Sequence, residues 1–264
     1  MKHRKYGYLA PVFAFCLVIA FSLPAEEQPA DSGDSQSEAQ AILLDMAEYL
    51  AQLQKFEVTI LSGYDAVQAD GQKIEFNSKR KVLVNRPDQL RVDVEKSDGN
   101  SNLTLIDGKN ITVSSTSGNV YAQASSPGNL DAAVKYLVSE LNIRLPLALL
   151  FLTTLPGELE QRIQVVDYVE ETTILGVTSH HLAGRTQSVD FQIWVKDGDE
   201  PLPLRIILTY RLEEGLPQFR ALFTDWNVSP KVSKSAFTFK PADGATKISF
   251  LSQLNQLKKS GEEP

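Results

Sequence analysis

Along most of this chain, apolar residues recur at every second position, the spacing that gives a strand one buried and one polar face. In the first half, Ile74, Phe76, Val82 and Val84 alternate with polar residues, and in "QLRVDVE" Leu90, Val92 and Val94 share one face while Arg91, Asp93 and Glu95 share the other. "LTLIDGKNITV" places Asp107-Gly108 between two β-branched runs, which predicts a hairpin. "SSTSGNVYAQA" continues the meander, and strands resume with "RIQVVDYVEE", "VTSHHLAG", "VDFQIWVK", "PLRIILTYR" and "FRALFTDWNV". In the most strongly patterned stretch, Val189, Phe191, Ile193 and Val195 face one way and Asp190, Gln192, Trp194 and Lys196 the other. Asp197-Gly198-Asp199, Pro201 and Pro203 then turn the chain, and Leu204, Ile206, Leu208 and Tyr210 resume the alternation. A proline just before a strand costs no ladder bond there.

Two segments break the pattern. "EAQAILLDMAEYLAQLQ" spaces Ile42, Leu43, Met46, Tyr49, Leu50 and Leu53 as one face of an amphipathic helix, with Ser37 as its expected N-cap. Between the two strand series, a helix is expected over Leu130–Leu141, followed by a strongly apolar stretch from Leu145 to Leu155. That stretch carries Leu145, Leu147, Leu149, Leu150, Phe151, Leu152 and Leu155, all but Leu145 between Pro146 and Pro156. On a short helix these side chains cannot all face one sheet. The segment is either a buried core helix or a lid that buries one side and offers the other to a ligand; as a lid, its candidate ligand-binding residues are Leu147, Leu150, Phe151 and Leu155.

The N-terminus has the layout of a secretory signal peptide: Lys2, Arg4 and Lys5, then an apolar run from Leu9 to Leu23, then Pro24-Ala25. Cleavage is expected after Ala25, although Leu23 is a poorer −3 residue than alanine. The run, about 15 residues, is shorter than the roughly 20 a membrane-spanning helix needs. Cleavage removes Cys16, the one cysteine, and with it any disulfide or thiol-metal chemistry, which suits a bacterial periplasm. It also removes three basic residues and no acidic one, so the formal charge moves from −7 to −10. A net acidic chain repels phosphate backbones and anionic head groups, which excludes nucleic acid as the main partner. The organisation expected is a signal peptide (1–25), a disordered polar linker (26–38), one domain (39–259) and a disordered tail (260–264).

Chemistry is sparse. There is no nucleophile elbow, phosphate loop or dinucleotide fingerprint. After processing, the remaining histidines are His180 and His181; adjacent on a strand, they point to opposite faces and cannot chelate one metal. One ring is expected packed inward and the other solvated. Ser78 and Lys81 have S-x-x-K spacing, but strand alternation puts them on opposite faces. The pairs Glu170-Glu171, Glu213-Glu214 and Asp197/Asp199 fall at strand ends and turns, where charge serves solubility. No catalytic residue, metal ligand or cofactor site is expected.

Gln192-Ile193-Trp194, the turn into Pro201-Leu202-Pro203, Pro217-Gln218-Phe219, Asp225-Trp226-Asn227 and the closing Phe237-Thr238-Phe239-Lys240-Pro241 resemble a family of predicted periplasmic proteins that share the fold of the lipoprotein carriers LolA and LolB. The resemblance implies a mainly β, α+β fold: an antiparallel curved sheet or incomplete barrel, with helices forming a lid over its concave apolar side. Such a groove suits a lipid or a lipoprotein acyl chain. Each buried CH₂ contributes roughly 0.8 kcal/mol relative to water, so a ~16-carbon chain contributes about 12 kcal/mol at most, and almost nothing relative to a bilayer. The expected function is therefore non-enzymatic binding of a hydrophobic ligand in the periplasm without stable membrane insertion. The alternative is an envelope protein-interaction or sensor module with a closed core.

Overall fold

The computed structural model describes residues 32–143, 145 and 147–250. The expected signal peptide, the first part of the linker and the tail lie outside the described residues. Two antiparallel meanders dominate. The first comprises β1 (Lys55–Val67), β2 (Lys73–Asn85), β3 (Gln89–Lys96), β4 (Ser101–Asp107), β5 (Asn110–Ser115) and β6 (Val120–Ser125). The second comprises β7 (Ile163–Ile174), β8 (Val177–Thr186), β9 (Val189–Lys196), β10 (Pro203–Tyr210) and β11 (Gln218–Asn227). They fuse where β1 pairs antiparallel with β11, giving one curved sheet of twelve strands in the order β12-β6-β5-β4-β3-β2-β1-β11-β10-β9-β8-β7. The sheet is open, since its outer strands β12 and β7 do not pair with each other. The mainly β, α+β expectation holds. One pair departs from antiparallel geometry, because the short strand β12 (Thr246–Ile248) runs parallel to β6.

Alternation fixes which face is buried. Phe56 lies opposite Val84, Val84 opposite Leu90, Leu90 opposite Ile106, Ile106 opposite Ile111, and Ile111 opposite Ala124; all are buried. On the other meander, Ile193 lies opposite Ile206 and Phe191 opposite Leu208, with Val195 fully buried, so the Val189–Tyr210 stretch is a wall of the core. Two helices cover this face. The first, α1 (Ser32–Gln52), contributes Leu43, Met46 and Leu50; the second, α2 (Leu130–Ser139), contributes Leu130, Ala133, Val134 and Leu137. At the start of α2, the Asn129 side chain accepts from the Ala132 N–H.

Two boundaries differ from expectation. The first helix begins at Ser32, so Ser37 is an interior residue rather than the N-cap, and residues 32–38 are helical rather than linker. The physical reason is a tertiary anchor: the Ser35 hydroxyl donates to the Tyr168 carbonyl (3.4 Å) and accepts from the Tyr168 N–H (3.2 Å), which fastens this polar turn to β7. A third helix, α3 (Leu155–Arg162), was not expected; Pro156 in its first turn and Arg162 four residues after Glu158 are its sequence signals.

The wall is tightest at Gly184, where a Cβ would overlap the Phe191 ring and come within 2.8 Å of the Val165 carbonyl oxygen. Gly184→Ala is expected to destabilise the protein by about 1–3 kcal/mol, as overpacking against backbone does. Urea denaturation followed by tryptophan fluorescence measures this; an unchanged midpoint would show that Phe191 can move aside freely.

Candidate functional site

The Leu145–Leu155 segment is mostly irregular, with one 3₁₀ turn over Ala148–Phe151 before α3 begins. Leu150, Phe151 and Leu155 are buried in the core and Leu147 is half-buried against it. Leu147 has φ +63°, a left-handed conformation that costs a non-glycine residue about 1–3 kcal/mol. What holds the segment is polar. Asp131, in the first turn of α2, accepts from the Thr153 N–H at 3.1 Å and from the Thr153 hydroxyl at 2.6 Å.

Arg86, just past β2, donates through Nη1 to the Phe151 carbonyl (2.8 Å), through Nε to Leu53 (2.9 Å) and through Nη2 to Leu50 (3.4 Å). It thus bridges the C-terminal end of α1, where carbonyls lack helical partners, and the end of the 3₁₀ turn. Burial lowers the Arg86 pKa, and the nearby Asp131 charge opposes that shift. The four predicted ligand contacts therefore sit on a latched segment whose apolar side chains fill the core.

Beyond the helices the same sheet face continues, and there it is uncovered. Its second-strand members are Ile74, Phe76, Ser78, Arg80, Val82 and Val84. Val82 and Val84 are buried, whereas Phe76 is 43 % exposed and stacks at 5.7 Å on Tyr64, itself 48 % exposed. Tyr64 lies opposite Phe76 and Phe219, and Phe219 opposite Leu208. The sequence alternation groups Ile74 and Phe76 with Val82 and Val84; Ser78 enters there only as the partner of Lys81, and Arg80 not at all. The signal was available: a serine and an arginine stand in phase with four apolar positions.

The other face carries a cleft of about 750 Å³. Leu61, Gly63, Lys79, Arg205, Arg220 and Leu222 line it, and the β7–β8 hairpin tip, Thr173–Leu175, contributes to its wall. None of Leu147, Leu150, Phe151 and Leu155 lines this cleft. Arg220 donates to Asp65 (2.8 Å) and Glu75 (3.0 Å). The Arg220 hydrogen bond holds the Asp65 pKa below the usual carboxylate range; burial opposes this, and the Gln218 N–H adds to it.

The histidines stand on opposite faces, yet neither ring is solvated as expected for one of them; their side chains are 21 % and 12 % exposed. His180 reaches Asp197 (3.2 Å) and the Tyr168 hydroxyl (3.3 Å). His181 stacks on Trp194 with ring centroids 4.1 Å apart, and Arg205 covers Trp194 at 4.9 Å. The aromatic surface of Trp194 is what buries His181. Asp197 and Glu170, the carboxylates nearest the two rings, are more than half exposed. Among the described residues no three His, Asp or Glu side chains converge as a metal site, and no helix is long and apolar enough to cross a membrane.

Residues 39–251 match the family model described as predicted periplasmic protein (DUF2092), and the chain belongs to that family. No curated protein matches the chain. Similar solved structures include an uncharacterized conserved protein from Thermus thermophilus, at 13 % identity over 80 % of this chain and 99 % of that one (TM-score 0.46). The Mycobacterium tuberculosis lipoprotein LppX is 11 % identical over 75 % and 100 % (0.46). A LolA superfamily protein from Nitrosomonas europaea is 15 % identical over 76 % and 97 % (0.37).

Two outcomes are expected. Arg86→Leu leaves three carbonyls without their charged donor; stability should fall by about 2–3 kcal/mol and amide exchange should accelerate at Leu152 and Thr153. Unchanged exchange at both amides would mean that apolar packing alone holds the segment. For Asp65, the folded-state pKa lies below the unfolded one, so its stabilisation is present above the ordinary carboxylate range and is lost as pH falls through the folded value. Asp65→Asn should cost about 2 kcal/mol at pH ~7 and flatten the acid limb of the stability profile. An acid limb as steep as that of the unsubstituted chain would assign the loss to other carboxylates.

Proposed function

We propose that this periplasmic family member is a non-enzymatic binder of a hydrophobic ligand, a lipid or a lipoprotein acyl chain, taken up on the core-facing side of the sheet beneath the latched Leu147–Leu155 segment. The observation that carries this reading is the uncovered continuation of the core face, where Tyr64, Phe76 and Ile74 are exposed in line with buried Val82 and Val84. The latch supports it. A leucine in a left-handed conformation and a segment with a single 3₁₀ turn, pinned by Arg86 and Asp131, form an element that can swing without unfolding the sheet. Displacing Leu150, Phe151 and Leu155 would open apolar surface continuous with the exposed strip. Ligand leaving a bilayer gains little free energy, so the rate of latch opening would set the rate of exchange.

A second reading, an envelope protein-interaction module with a closed core, is favoured by the cleft on the opposite face. Leu175, exposed and left-handed at φ +50°, stands at the hairpin tip beside it. No cofactor takes part in either reading.

Protein secreted in its native host and purified without detergent should show, in native mass spectrometry, added masses that organic extraction identifies as lipid. Thr153→Val combined with Asp131→Ala should speed exchange of a fluorescent acyl probe several-fold. Ligand-free protein that binds no acyl probe, together with a protein partner crosslinked at Leu175, would replace the first reading with the second.

A further inference from the structure

Arg80 is the one structural oddity on the uncovered face. It lies directly opposite Ile60 on one side and Val94 on the other, which places it in phase with the core. Among the described residues its one side-chain hydrogen bond runs from Nη1 to the Ser62 hydroxyl, and its guanidinium stands 5.9 Å from the centroid of the Phe219 ring. Among the described residues no carboxylate pairs with it, whereas Arg91, Arg162, Arg185, Arg211 and Arg220 each have one. Burial pushes its pKa down, and the one charge acting the other way is the Tyr64 phenol. A guanidinium has five N–H donors, and among the described residues most of those on Arg80 meet no protein acceptor, which leaves them open to an anion.

Next to Arg80 is a pair of hydroxyls. Ser62, 6 % exposed, lies opposite Ser78 with the two oxygens 3.1 Å apart. Ser62 donates to the Ser78 carbonyl, so within the hydroxyl pair Ser78 is the donor and Ser62 the acceptor. One row further out, Phe76, Tyr64, Phe219, Leu208 and Phe191 stand opposite one another across five adjacent strands. At about 4.8 Å per strand the row is about 19 Å long, the reach of an extended chain of roughly 15 carbons.

We propose that Arg80 is the head-group anchor for a single-chain anionic amphiphile, a long-chain carboxylate, whose hydrocarbon lies along the row of Phe219, Tyr64 and Phe76. The proposal rests on the hydrophobic-ligand reading above and names its substrate class. One unpaired cation matches one negative charge, and a carboxylate meets the guanidinium fork with two hydrogen bonds. One row of side chains matches one acyl chain.

The test uses the full secreted chain with two probes of equal length, sodium palmitate and neutral hexadecanol, and phosphatidylglycerol vesicles as a third. Palmitate should bind about tenfold or more tighter than hexadecanol. Arg80→Met should abolish that preference by weakening palmitate alone, and Arg80→Lys should restore part of it. Phe76→Ser, at a half-exposed position that the fold tolerates, should weaken both single-chain probes together. Equal binding of palmitate and hexadecanol by the unsubstituted chain, or palmitate binding unchanged in Arg80→Met, overturns the Arg80 proposal and leaves the hydrophobic-ligand reading standing. Binding of neither probe overturns both. Tighter binding of the diacyl lipid than of palmitate would overturn the single-chain assignment.

Discussion

Everything in this structure follows from a mismatch of areas: a sheet of twelve strands has more apolar face than its helices can cover. At about 4.8 Å per strand the sheet is roughly 55 Å wide, whereas one helix covers a stripe about 10 Å across. The described helices have 21, 10 and 8 residues, so even α1, about 31 Å long, falls short of the 13-residue strands β1 and β2 at about 43 Å. The chain fills part of the deficit with Leu147–Leu155, which is irregular because its task is to supply side chains to a gap rather than to extend a hydrogen-bonded rod. The rest stays unfilled, and Tyr64, Ile74 and Phe76 are its exposed margin.

Two half-buried arginines near that gap have opposite surroundings. Arg86 meets three carbonyls at the ends of helical segments, where acceptors are otherwise orphaned, so its desolvation is offset within the protein. Arg80 meets a serine and an aromatic ring, and its desolvation is not offset by any anion of the described chain. The first arrangement is complete and structural. The second is the kind a binding site keeps, because the missing partner can come from a ligand.

The strands were legible because period-two alternation is a local property, and so was α2, whose Asn129 cap and apolar spacing are contiguous. The start of α1 was not. Ser32–Ser37 carry no apolar signal, and their helix is anchored through Ser35 to a residue 133 positions away. α3 was hidden because its eight residues carry little apolar periodicity, with Leu155 the one buried side chain among them. The candidate site was half legible. The apolar weight of Leu145–Leu155 stands in the sequence, yet which of its side chains fill the core depends on how much sheet lies beneath. Ile74 and Phe76 show the converse, since alternation assigns them to the core face correctly but cannot say that no helix reaches them.

The edges of the sheet bear on how a protein partner could dock. An open sheet invites strand addition at its outer strands unless they are blunted. Here β7 shifts register between Tyr168 and Glu170, and Ser35 already occupies both the N–H and the carbonyl of Tyr168. At the far edge β12 is three residues long and pairs parallel to β6. Neither edge offers a long flat row of free backbone groups, so recognition by this fold belongs to its faces. On the core side that face is apolar and holds an unpaired cation; on the other it is a mixed-charge cleft in which Arg220 is neutralised by Asp65 and Glu75, while Arg205 and Lys79 have no carboxylate partner among the described residues. On the proposed reading it is the apolar row beside Arg80 that would draw an anionic apolar ligand to the core side, and a protein that docks on the cleft side would leave that route open.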